Sequence, residues 1–163
     1  MDKFLKLLVD WVYRTNSKRK NFEAQHNEKV LAADASKGIT TKQNDSIDRG
    51  AAWMVSQRAI IMLTNKRIIC GKWDIPVEKI SKASLVKIKS LFGGGQVLKI
   101  DTFDNESYQF GMQVNDEWIN QTALQLTVEN GKVKIFTLST VVWILALGYL
   151  LYLLLQDMGV FAN

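Results

Sequence analysis

Two neighbouring runs, Val97-Leu-Lys-Ile-Asp-Thr-Phe103 and Ser107-Tyr-Gln-Phe-Gly-Met112, decide how this chain is read. In the first, Leu98, Ile100 and Thr102 alternate with Lys99 and Asp101. In the second, Tyr108, Phe110 and Met112 share one side. Successive side chains of a strand point to opposite faces, so period two marks a β-strand with a buried face. Phe103-Asp-Asn-Glu106 between the runs carries turn formers.

The same texture extends upstream. Ala83-Ser-Leu-Val-Lys-Ile-Lys89 sets Leu85 opposite Val86 and Ile88, with Lys87 and Lys89 on the Leu85 face. Thr64-Asn-Lys66, Gly71-Lys-Trp73 and Gly93-Gly-Gly95 read as turns, the last a flexible one. Strands recurring at roughly 8–12-residue intervals predict an antiparallel sandwich or barrel over residues 28–113. Downstream the period changes. Val114, Trp118, Ala123 or Leu124, and Val128 recur at helical spacing, with Asn115 as N-cap and Asp116 and Glu117 in the first turn. The expected domain is about seven strands followed by a helix.

A resemblance enters here. Arg58-Ala-Ile-Ile-Met-Leu-Thr-Asn-Lys-Arg-Ile-Ile-Cys70, followed by Ile75-Pro-Val-Glu-Lys-Ile80, is similar to the core signature of GRAM and bacterial PH-like domains. Asn27-Glu-Lys-Val-Leu31 resembles the start of such a domain, and the helix with Trp118 resembles its closing helix. The resemblance covers residues 27–129. It implies a partly open barrel of two sheets capped by a helix, and binding to lipid head groups or proteins without catalysis. Phosphoinositide-binding members carry several spaced basic residues in the loop after the first strand. Ala35–Gln43 offers only Lys37 and Lys42, which argues against specific phosphoinositide recognition.

Two flanking segments differ from this middle. Ile135–Leu155, IFTLSTVVWILALGYLLYLLL, has no charged residue, and as a helix it would reach about 31 Å. The expectation is a single transmembrane helix over 135–155 with a short tail, 156–163. Lys132 and Lys134 place the N-terminal domain on the cytoplasmic side and the tail opposite. Trp143, Ala146, Gly148, Tyr149 and Tyr152 are its candidate packing residues.

The other flank, residues 1–20, is a basic arm. Lys3, Lys6, Asp10 and Arg14 fall on one narrow stripe of a helix, and apolar residues including Phe4, Leu7, Leu8 and Trp11 cover the rest. Arg14, Lys18, Arg19 and Lys20 follow as a basic cluster. The chain has 21 Lys and Arg against 16 Asp and Glu, net +5, and residues 1–20 alone account for +4. Positive charge so localised excludes a uniformly basic nucleic-acid binder and suits a helix lying in a membrane interface or against another membrane protein. The alternative is that the helix packs on the chain's own domain.

Other candidate contacts are Lys79, Lys82, Lys87 and Lys89 as a basic face, and Leu91-Phe92 as an exposed apolar loop. One cysteine, Cys70, excludes an internal disulfide and CxxC chemistry, and one histidine, His26, excludes a multi-histidine metal site. Cys70 sits in an apolar run and reads as buried; His26 sits in a polar run and reads as a solvated loop residue. No nucleophile–base pair, paired carboxylates or phosphate-binding loop can be assembled, so an enzyme is not expected and no cofactor is implied. The expected function is a scaffold or accessory subunit of a larger membrane protein complex, with integral membrane proteins and lipids as partners. The alternative is a tethered lipid-surface or adaptor module.

Overall fold

The computed structural model describes residues 2–43, 47, 53, 56, 58–90, 93–131 and 138–157. The chain divides into two compact units, Met1–Lys132 and Val133–Asn163. The first unit opens with helices α1 (Asp2–Tyr13) and α2 (Thr15–His26). Eight strands follow: β1 (Val30–Thr41), β2 (Arg58–Thr64), β3 (Arg67–Cys70), β4 (Trp73–Pro76), β5 (Ile80–Ser90), β6 (Gly93–Thr102), β7 (Ser107–Met112) and β8 (Leu126–Gly131). A short helix, α3 (Glu117–Asn120), lies between β7 and β8.

The strands form one open sheet in the order β4-β3-β2-β1-β7-β6-β5-β8. All pairings are antiparallel except β5 with β8. The expectation of a seven-stranded barrel or sandwich of two sheets is therefore corrected. There is a single mixed, open sheet of eight strands. The extra strand comes from residues read as helix. Helical spacing of Trp118 and Val128 suggested a long helix from 114 to 128. The helix stops at Asn120, and Leu126–Gly131 runs parallel to β5. Gln121 explains the stop locally: its side chain bonds both the N–H and the C=O of Leu124, at 2.8 Å each, and closes a turn in place of another helical turn.

Period two holds where one face carries the core. Tyr108, Phe110 and Met112 are buried with Leu98, Ile100, Leu85, Ile61, Leu63, Ile68 and Trp118 in the main apolar cluster. The sheet bends enough that Trp73 of β4 meets Phe110 of β7 edge to face, with ring centroids 5.6 Å apart. Gly38 of β1 makes room for this contact, since a Cβ there would stand 2.5 Å from the Trp73 ring. A smaller cluster, Val30, Ala33, Ile60 and Met62, is covered by Tyr13 and Phe22 of the two helices.

Two local readings are corrected as well. Gly93–Gly95 is strand, paired with Ser90, Lys89 and Ile88, and not the turn expected there. His26 closes α2 rather than lying in a loop; its ring is exposed and stacks on Phe22 at 4.1 Å. Cys70 is buried as expected, and burial pushes its thiol pKa up to about 12.

The second unit contains α4 (Leu138–Asp157). Among the described residues no helix is long and apolar enough to cross a membrane. The expected single-pass anchor over 135–155 is thus corrected, and the two-sided topology built on it falls with it. The sequence estimate counted the polar start of the segment as span. Within α4, Ser139 and Thr140 stand at one end and Gln156 and Asp157 at the other. The uninterrupted apolar stretch is Val141–Leu155, about 22 Å of helix against a hydrocarbon core of about 30 Å.

Candidate interaction surface

The described residues contain no group of three or more His, Cys, Asp or Glu side chains placed to hold a metal ion. The features of the first unit that stand out are two buried carboxylates and the helices that lie over one of them.

Glu28 precedes β1 and is buried. Its carboxylate accepts from the Thr64 hydroxyl at 2.9 Å and from Arg67 Nε and Nη2 at 3.3 and 3.0 Å. Thr64 Oγ1 also accepts the backbone N–H groups of Lys66 and Arg67, at 3.0 Å each, which closes the β2–β3 turn. Arg67 reaches on to Asp74 at 2.8 Å and lies over the Phe22 ring. Burial works against the Glu28 carboxylate, but the bonds from Thr64 and Arg67 outweigh it and hold its pKa below the usual value. The Leu63-Thr-Asn-Lys-Arg67 motif is thus accounted for as a turn locked to the start of β1.

Asp34 of β1 is fully buried. Neither carboxylate oxygen has a hydrogen-bond partner within normal distance among the described residues. Lys6 Nζ of α1 stands 3.6 Å away and is itself bonded to Asp10 at 2.7 Å. Burial pushes the Asp34 pKa up to about 6, against the pull of Lys6 and of the nearby Asn115 amide. Burial likewise disfavours the Lys6 ammonium, yet its bond to Asp10 and the charge of Asp34 leave its pKa raised.

Around this seat the arm is anchored at several points. Arg14 between the helices adopts a left-handed conformation (φ 53°), which turns α2 away from α1. Arg19 of α2 bonds Glu117 of α3 at 3.0 Å and also donates to the Val30 carbonyl. Glu117 in turn accepts the Ala33 N–H at 3.2 Å. The Asn115 side chain accepts the Glu117 N–H at 3.1 Å and donates to the Ala33 carbonyl; the N-cap is Asp116 rather than the Asn115 expected.

Sequence reasoning placed Leu7, Leu8, Trp11, Arg14, Lys18 and Lys20 in an interface arm, and all six are exposed. Arg19 is partly buried in its ion pair, and the Phe4 side chain lies outside the described residues. The proposed basic face is not assembled. Lys79 pairs with Asp104 at 3.1 Å. Lys82 and Lys87 are five residues apart on β5, and so on opposite faces of the strand. The Lys89 side chain and Leu91-Phe92 lie outside the described residues. On α4, Ala146, Gly148, Tyr149 and Tyr152 are exposed, and the Trp143 side chain lies outside the described residues.

Reasoning from sequence missed Asp34 and Glu28, because a single acid in a run such as Leu31-Ala-Ala-Asp-Ala-Ser36 carries no sign of its partner. One signal was present: an Asp flanked by alanines, in a strand whose neighbours are all small or apolar. No family model matches the chain, and no curated protein matches it.

Proposed function

We propose that this chain is a non-catalytic scaffold or accessory subunit, held in a larger membrane-associated protein assembly through apolar helical surface. The observation that carries this reading is α4. Leu145, Leu147, Tyr149, Leu150, Leu151, Tyr152 and Leu153 are all exposed, around the whole circumference of the helix. A helix that is apolar all round is stable only when covered by other apolar surface. The GRAM-like signature at Leu63–Arg67 and Ile75–Ile80 points the same way, toward binding without chemistry.

The test is affinity purification of the full chain, extracted in mild detergent through a tag ahead of Met1, with mass spectrometry of what is retained. A stoichiometric set of proteins is expected, and a Leu147→Glu/Leu150→Glu variant should lose it. Retention of scattered, substoichiometric proteins that are indifferent to the variant would overturn the subunit reading.

A further inference from the structure

Helix α1 sits on the sheet the wrong way round for an ordinary amphipathic helix. Such a helix normally buries its apolar side against its own domain. Here Lys6 and Asp10 face inward, with side chains 22% and 17% exposed. Leu7, Leu8, Trp11 and Val12 face outward, at 68%, 50%, 79% and 60% exposure. At 3.6 residues per turn these four occupy an arc of about 140°, centred opposite the Lys6–Asp10 edge.

The seat explains the inversion. Asp34 is a fully buried acid in the middle of β1, and Lys6 is the cation placed nearest to it. A buried carboxylate without hydrogen bonds is costly. Here it provides an ionic foothold for the polar edge of α1, and the apolar edge is left for something outside the chain.

We propose that the outward face of α1 docks on an anionic lipid bilayer surface, with Leu7, Leu8, Trp11 and Val12 in the acyl boundary and Arg14, Lys18 and Lys20 among the head groups. Charge complementarity selects this occupant. Asp10 is turned inward and neutralised by Lys6, so it does not oppose an anionic surface. Arg14 directly follows α1, Lys18 and Lys20 lie on α2, and all three are exposed and form no ion pair among the described residues. A twelve-residue helix spans about 18 Å, enough to lie flat in the interface and too short to cross it. Tryptophan at such a boundary places its ring at head-group level.

The experiment uses the full chain carrying Leu8→Cys, labelled with an environment-sensitive fluorophore. Cys70 is buried and stays unlabelled under native conditions. Vesicles are phosphatidylcholine with or without phosphatidylserine. The label at position 8 should shift to the blue on the anionic vesicles and not on the neutral ones, while a label at Glu78→Cys, on the exposed turn after β4, should not respond. Replacing Arg14, Lys18 and Lys20 together by Gln should weaken the response to anionic vesicles roughly 10- to 100-fold. Equal shifts on both vesicle types, or a shift that needs an added protein partner and no lipid, would overturn the proposal. Neither outcome touches the assembly reading, which is tested on α4.

Discussion

Glu28 and Asp34 lie six residues apart, both buried and both facing a cation, yet they behave in opposite ways. Glu28 receives three hydrogen bonds, two of them from one guanidinium, and its pKa falls. Asp34 receives none within normal distance from the described residues, and its pKa rises to about 6 although Lys6 is only 3.6 Å away. Proximity of opposite charge is evidently not enough. A planar fork with a fixed hydroxyl beside it repays the desolvation of a carboxylate; a lysine shared with a second acid does not. The Glu28 site is a clamp between the β2–β3 turn and the start of β1. The Asp34 site is a weak foothold for a helix that has other surface to offer.

The largest effect should come from breaking the clamp. Glu28→Ala leaves Thr64 and Arg67 without their shared acceptor, and removing one partner of a buried pair costs about 3–5 kcal/mol. Arg67 keeps Asp74 and some solvent, so the lower end applies, about 3 kcal/mol by urea unfolding. A loss below about 1 kcal/mol would reduce the clamp to an ordinary surface ion pair.

Next comes Asp34, read through pH. Its folded pKa is raised from 3.8 to about 6, so the folded state holds a proton that the unfolded chain has already lost in that window. Stability therefore falls as pH rises through the window, by on the order of 3 kcal/mol in all, and the cost is fully present at neutral pH. Glu28 has the opposite sign. Its depressed pKa contributes stability that is present above its ordinary value of 4.5 and lost as pH falls through the folded value. Together they predict greatest stability near about pH 4, where the loss from Glu28 on acidification begins to offset the gain from Asp34. Asp34→Asn should abolish the rise between pH 7 and pH 5 and stabilise the chain at pH 7. Thermal unfolding across that range reads both. A flat wild-type profile would show that Asp34 is solvated or paired after all.

How much of this was legible beforehand follows the range of the interactions. The strands over 97–103 and 107–112 and the turn between them were readable because alternation and turn chemistry are local. The Lys6–Asp10 edge and the amphipathic character of α1 were readable for the same reason, although Arg14, expected on that edge, falls past the end of the helix. What could not be read was which edge of that helix would face the sheet. That depends on Asp34, which meets Lys6 across twenty-eight positions of chain. The strand at Leu126–Gly131 was missed because β8 is an exposed edge strand with no buried face to impose alternation. Its partner, β5, lies some forty residues upstream. The overestimate at 135–155 came from letting the absence of charge set the length of the span, although Thr137, Ser139 and Thr140 at its start are polar.

The smallest effect sharpens the contrast most. Lys6→Met removes the cation from the foothold while keeping the length and helix propensity of the side chain. Asp34 and Asp10 then face each other uncompensated, and two carboxylates near one site repel. In the clamp such a loss would be expensive. Here α1 has less to lose, since Leu7, Leu8, Trp11 and Val12 are already exposed and Tyr13, at its last position, is its side chain packed on an apolar cluster. Global stability should change by less than about 1 kcal/mol, because the sheet and the main apolar cluster contain no residue of α1 and Phe22 of α2 stays on the smaller one. The local equilibrium should move instead. Backbone amides of α1 should exchange with deuterium roughly tenfold faster, the mark of about 1.4 kcal/mol less protection, while α2 stays held by Arg19 and Glu117. Unchanged exchange across residues 2–13 would mean that α1 is seated by something other than Lys6, and the distinction between clamp and foothold would lose its basis.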